Sequence, residues 1–185
     1  MNNPILSNLD PNSSEFKEGV ASQLNRIDPT KPAGPKLCDA IMRLWPTPAF
    51  EAMLFRHPQQ GASEIYLRRR ALDDTAYPGQ WHAPGALFRH GEKPRDVANR
   101  LKGEFGVPIE KFELVGYEIT NEERGTVHSL IYLIQLVGDA RIDDRHAWFS
   151  TNNLPQAMVD LHRDRIIPVA AQVYWQRFVN ARRDH

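Results

Sequence analysis

Apolar residues at Val97, Leu101 and Phe105 recur every four positions, the spacing that gathers side chains on one face of a helix. Pro94 stands near the first turn and Gly106 just past the last, so Lys93 to about Phe105 predicts a helix with a single buried stripe. Period-two alternation marks Glu64–Arg70 as a strand, with Ile65 and Leu67 on one face and Tyr66, Arg68 and Arg70 on the other. Phe50–Phe55 reads as a short apolar strand. Phe112–Ile119 and Val127–Val137 read as two more, the second long and central, and Ala147–Ser150 as a last short one. A helical region is predicted to begin at Leu154-Pro155. The final helix starts around Pro168, with Val169, Val173, Tyr174 and Phe178 on its apolar side. Strands and helices that alternate in this way, without an internal repeat, predict an α/β layered domain.

The flanks carry a different pattern. Residues 1–35 are rich in Asn, Ser and Pro and close on Pro29-Thr-Lys-Pro-Ala-Gly-Pro35, which predicts a flexible N-terminal arm with one short helix near Glu15–Leu24. The domain itself is expected over residues 36–185. Lys36–Leu44 forms a helical turn or two, stopped at Trp45-Pro46-Thr-Pro48. A chain of 185 residues is long enough for one core and short for two.

Composition narrows the function classes. Lys plus Arg equals Asp plus Glu at 23 each, so wholesale attraction to nucleic acid or anionic lipid is not expected, though a local basic patch stays open. The longest apolar run, Leu130–Val137, is interrupted by Gln135 and is far short of a membrane span. The first residues lack the basic start and apolar run of a signal peptide. Cys38 is the one cysteine, which excludes an intramolecular disulfide and a cysteine metal cluster. A soluble, cytoplasmic protein is the expectation.

Several separated segments carry a family resemblance. Ile65-Tyr-Leu-Arg-Arg-Arg70, Pro78-Gly-Gln-Trp81, Pro84-Gly-Ala86, Gly91-Glu92 and Gly106-Val107 occur in the order and spacing of the Nudix family. Downstream, Trp148-Phe-Ser150, Leu154-Pro155, His162 and Ile166-Ile167 resemble its closing strand and helix, so the similarity covers roughly residues 49–180. The resemblance implies an α/β/α sandwich with a mixed central sheet. It also implies hydrolysis of a diphosphate linkage in substrates built as a nucleoside diphosphate joined to another group. In the family signature, three glutamates on one helix, three and four residues apart, converge on one face. They hold magnesium, which neutralises phosphate charge and activates a water.

Here that signature is broken. With the apolar stripe and Gly106 aligned, Arg100 and Gly103 take two of the glutamate positions, Glu104 keeps the last, and Asn99 stands where the signature has arginine. The register that runs without a gap from Glu92 makes Arg100 the signature arginine. It is rejected because it places Leu101 and Phe105 at glutamate positions and turns the buried face outward. Glu92 and Glu104 remain as the candidate catalytic and metal-binding acids, with magnesium as the cofactor the resemblance implies. A cation at Arg100, four residues before Glu104, is expected to pair with that glutamate for about 0.3–0.5 kcal/mol and to disfavour the metal.

The ligand expected is nucleotide-like and phosphorylated, with Arg68, Arg70, Arg89 and Arg100 as phosphate contacts and Tyr66 or Phe88 as a surface for a base. Each is set against a structural role: ion pairs for the arginines, plain loop exposure for Arg89 and His90, core for the aromatics. Trp81 reads as a structural tryptophan. Glu118, Glu122, Glu123, Asp143, Asp144 and His146 are further sources of an acid or base, and His128 and His162 read as structural histidines. Three functions follow: ligand binding with impaired or absent hydrolysis, a divergent active magnesium-dependent hydrolase, or a scaffold without a small ligand. The resemblance leaves a homodimer open.

Overall fold

The computed structural model describes residues 6–57, 62–122 and 125–183. The chain divides into two compact units, Met1–Ala33 and Gly34–His185. The first holds helix α1 (Ser14–Leu24), where Ser13 accepts the Phe16 N–H at 3.1 Å as an N-cap and no helical residue is buried.

The second unit contains, in chain order, α2 (Pro35–Leu44), β1 (Thr47–Met53), β2 (Phe55–Arg56), β3 (Glu64–Arg69), β4 (Trp81–His82), β5 (Gly85–Leu87), α3 (Pro94–Arg100), α4 (Lys102–Phe105), β6 (Ile109–Glu122), β7 (Gly125–Leu136), β8 (His146–Ser150) and α5 (Ile167–Arg183). One sheet has the order β5-β1-β7-β6 and is mixed: β1 runs parallel to β7, whereas β5 and β6 join antiparallel. The second sheet is antiparallel, with β2, β4 and β8 all pairing with β3. The sheets are tied together where Ala52 N–H donates to Pro84 O at 2.8 Å and Tyr66 N–H to Leu54 O at 3.0 Å.

Alternation along the strands divides the core in two. Phe50, Ala52, Leu54, Tyr66, Tyr132 and Ile134 pack under α3 and α4 through Val97, Ala98, Leu101 and Phe105. Met53, Phe55, Ile65, Leu67 and Ile131 pack against Met158, Ile166, Ile167 and Ala170. Helices thus cover the strand layer on both sides, as expected of an α/β/α sandwich. Both faces of β3 are buried, because Tyr66 goes to one cluster and Ile65 and Leu67 to the other.

Three local expectations change. The apolar segment Phe50–Phe55 is split between β1 and β2, which belong to different sheets. The helix from Pro94 breaks at Leu101, where ψ is −5° and the Glu104 N–H reaches back three residues to Leu101 O at 2.9 Å. Gly106 closes it in the left-handed conformation, φ 79°. Residues 151–158 form turns and an isolated bridge in place of a helix, and α5 is preceded by a π-helical turn, His162–Ile166. Pro168 supplies the cause. It has no N–H for the carbonyl four residues back, and its ring crowds that carbonyl, so the turn before it widens. The side chain of Phe178 lies outside the described residues.

Candidate functional site

Two groups of polar residues stand out, one around α3–α4 and one in a cavity bordered by β5. The first lies on the helix pair α3–α4. Arg100 turns to Glu92, its Nε donating to Oε1 at 2.9 Å and its terminal nitrogen to Oε2 at 2.8 Å. The same terminal nitrogen donates to Leu87 O at 2.8 Å, and the Arg89 N–H donates to Glu92 Oε2 at 2.8 Å. The carboxylate of Glu92 therefore closes the β5–α3 loop, and the Arg100 guanidinium holds its pKa below the ordinary value. The expected Arg100–Glu104 pair gives way to this one. Leu101 and Phe105 are 3% and 0% exposed, the burial on which the choice of register rests.

Glu104 is engaged elsewhere. Arg68 Nε lies 2.9 Å from its Oε2, and His146 Nε2 lies 3.8 Å from the same oxygen. His146 is buried and shares Nδ1 with Asp143 at 2.6 Å, and Asp143 also pairs with Arg141. Asp143 is held well below the usual carboxylate range, first by the His146 hydrogen bond. Tyr66 is fully buried. Its hydroxyl donates toward Arg141 O at 2.8 Å and Glu104 O at 3.2 Å, and its ring packs on Phe105 and Trp148. No face of that ring is open to a base, so the stacking expectation gives way to a core role.

Magnesium does not fit these residues. Glu92 and Glu104 each meet a guanidinium, and Gly103 presents no side chain. Among the described residues no three His, Cys, Asp or Glu groups stand together so as to hold a metal ion.

The second group lines a cavity of about 220 Å³. Glu51 enters it from β1, His82 from β4 and His162 from the π-helical turn, while Arg70, Tyr77 and Glu122 stand along its wall. Glu51 projects opposite to Phe50 and Ala52, so it faces away from the α3 core. Ser129, fully buried, directs its hydroxyl at Glu51 Oε1 at 3.4 Å. A Cβ on Gly85 would come within 2.6 Å of Glu51 Oε2 and 2.8 Å of Phe50 O, so glycine is needed at that position. His162 Nδ1 accepts the Ala83 N–H at 3.2 Å and its Nε2 lies 3.9 Å from Glu51 Oε2. Burial, with the nearby charge of Arg70, lowers His162 to about 3. Burial and His162 push His82 well below its ordinary value. Both imidazoles are thus neutral at pH 7. The His82 Nε2 is buried without a hydrogen-bond partner, and the two rings meet edge to face at 5.6 Å. Arg70 pairs with Asp74 at 2.7 Å, and its Nε is buried without a hydrogen-bond partner. Burial opposes ionisation of Asp74, but Arg70 and the N–H groups of Tyr77 and Ala76 outweigh it, and the carboxyl falls to about 2.

The remaining expected residues are dispersed. Trp81 packs on Phe149 at 4.8 Å in the α5-side core, and Phe88 packs against the opposite cluster. His90 and Asp144 are exposed. Glu118 pairs with Arg165, Glu122 accepts the Tyr77 hydroxyl at 2.9 Å, and His128 meets the Tyr117 hydroxyl. Glu123 lies outside the described residues. Glu51 and His82 were not anticipated. The available signal was a carboxylate inside an otherwise apolar strand segment, which is seldom buried without a purpose.

No family model and no curated protein sequence matches the chain. Solved structures do. A MutT NUDIX hydrolase from Burkholderia pseudomallei aligns over 64% of this chain and 94% of its own, at 23% identity and a TM-score of 0.54. A NUDIX hydrolase from Nitrosomonas europaea aligns over 71% and 90%, at 18% identity and 0.54. This is the Nudix fold. NrtR from Shewanella oneidensis shares it at 19% identity and a TM-score of 0.56, with 70% of this chain spanning 63% of NrtR. Likeness at these identities establishes the architecture, and the chemistry has to be argued from the residues present.

Proposed function

We propose that this Nudix-fold chain binds a phosphorylated, nucleotide-like ligand and that metal-dependent hydrolysis of it is impaired or absent. One observation carries the reading: the two candidate acids that remain of the Nudix signature are taken by guanidinium groups, Glu92 in the β5–α3 loop by Arg100 and Glu104 on α4 by Arg68. A divalent cation would have to displace those arginines and would still lack a third carboxylate. The cleft bordered by β5 supports a binding role, since it is concave, partly apolar and lined by a few convergent polar groups. Arg70, at the cleft wall with a buried unpartnered Nε, is the proposed phosphate contact.

Isothermal titration with ADP-ribose, in EDTA and in magnesium, tests the reading. Binding of similar strength in both conditions is expected, with a loss of tenfold or more in Arg70→Ala and negligible turnover in magnesium. Magnesium-dependent turnover that disappears in Glu104→Gln would overturn it in favour of a divergent hydrolase.

A further inference from the structure

We infer that two copies of this chain associate by pairing their β6 strands antiparallel across a twofold axis, which joins the two mixed sheets into one.

β6 (Ile109–Glu122) is the last strand of its sheet, paired with β7 on one side and with no strand on the other. Among the described residues, no backbone N–H or carbonyl from Lys111 to Asn121 bonds to any element but β7. An open edge is a template for another strand, and proteins blunt it by shortness, by proline or by a covering element. The opposite edge of this sheet, β5, is blunted in that way, with three residues. β6 has 14 residues and no proline, and spans roughly 45 Å. A contact of that length is of the scale a specific interface needs, about 1,000 Å² in total.

A bulge at Val115 sorts the side chains of β6. Leu114 pairs with Tyr132 and Gly116 with Ile131, so one extra residue separates them. Residues opposite each other in a ladder project from the same face. Leu114, Tyr117 and Ile119 lie opposite Tyr132, Leu130 and His128, and Tyr132 and Leu130 pack in the core under α3 and α4. The three β6 residues share that face but stand outside that core, 51%, 49% and 49% exposed. An apolar strip beside an unpaired edge marks a surface for association.

The strip complements itself. With the bulge counted, an axis at Tyr117 sets Leu114 of each copy opposite Ile119 of the other and brings the two Tyr117 residues side by side. On the other face the same axis sets Lys111 of each copy opposite Glu122 of the other, a pairing of unlike charge. Two further acids of β6 are neutralised within the chain and do not drive the copies apart. Arg177 holds Glu113 at 2.8 and 2.6 Å, and Arg165 pairs with Glu118. A second copy therefore supplies a strand of matching length, face and charge. Twofold pairing also consumes both edges at once, so assembly stops at the dimer.

Sedimentation velocity of the full chain at micromolar concentration is expected to show a species of twice the 21.2 kDa chain mass. Leu114→Lys combined with Ile119→Lys should weaken self-association at least a hundredfold and return the monomer. Cross-linking checks the register, in a Cys38→Ser background that removes the one native cysteine. Tyr117→Cys is expected to form an intermolecular disulfide on mild oxidation, because directly opposed residues of antiparallel strands have Cα atoms about 4.5–5.5 Å apart. Lys102→Cys, exposed on α4, should form none. Should the paired lysine variant not fold, the cross-link decides. A monomer at every concentration overturns the inference. So does a dimer that survives both lysines, or one whose Tyr117→Cys thiols stay reduced, since either result places the contact on another surface.

Discussion

Around the helix pair α3–α4, Glu92 of the preceding loop faces Arg100, and Glu104 faces Arg68 of β3, each at hydrogen-bond distance. In the cleft bordered by β5, Glu51 lies near a serine hydroxyl, a glycine and a neutral imidazole. Ion pairing on the helix surface fastens a loop to a helix and leaves little affinity for a cation. The cleft holds its carboxylate buried, 7% exposed, beside two imidazoles that burial keeps neutral. The two regions thus place their acids in different surroundings, one partly exposed and paired with arginine, the other buried in a cleft.

The largest expected effect sharpens the first half of that contrast. Phe105→Ala should cost about 3–5 kcal/mol in urea unfolding, since the ring is fully buried and the α3 core cannot close around its loss. A cost below about 1 kcal/mol would mean that α4 turns this face outward, and the assignment of Gly103 and Glu104 would fail with it.

Next comes the pH dependence of the cleft. The folded-state values of His162, about 3, and of His82 lie below the ordinary 6.5, so below that pH the unfolded chain binds protons that the native state refuses. Stability from these two groups is complete above about pH 7 and declines as pH falls from 6.5 toward 3. For His162 the slope is up to about 1.4 kcal/mol per pH unit, roughly 2 kcal/mol by pH 5, and His82 acts in the same direction. Urea midpoints across pH 5–8 measure it, and His162→Gln should remove one proton's share of the slope. A flat profile for the wild type would show that the imidazoles are open to water.

The smallest effect belongs to the helix surface. Arg100→Ala should cost about 1 kcal/mol, because the pair with Glu92 is about a quarter exposed on the arginine side while the bond to Leu87 O is also lost. An unchanged midpoint would break the comparison from this side, showing that the guanidinium fastens nothing.

Much of the architecture was legible because it depends on local pattern. The four-residue spacing of Val97, Leu101 and Phe105 and the alternation of Ile65 and Leu67 mark faces that must be buried wherever the chain goes. Gly106 announces its helix end in the same local way. Pairing between distant groups leaves no such mark. The preference of Arg100 for Glu92 over Glu104 follows from the break at Leu101, which no propensity rule places at a leucine. Glu51, His82 and His162 meet only because β1, β4 and the turn before α5 are brought together by two different sheets, so the cleft could not be assembled from any one segment. His162 was read as structural, and its Nδ1 bond to Ala83 is structural. The opposite nitrogen lies 3.9 Å from Glu51 Oε2, a proximity that no single segment announces.

The π-helical turn His162–Ile166 determines where that nitrogen aims. A π turn holds one residue more than an α turn, and each residue of an α-helix advances the azimuth by about 100°. Excising a single residue between Arg163 and Arg165 would let the segment relax to regular α geometry. With Ile166, Ile167 and Ala170 anchored in the core, the imidazole would swing through that angle and leave the cavity. The aim of a buried donor is therefore encoded here as one increment of chain length, a quantity that a single codon's insertion or deletion can reset.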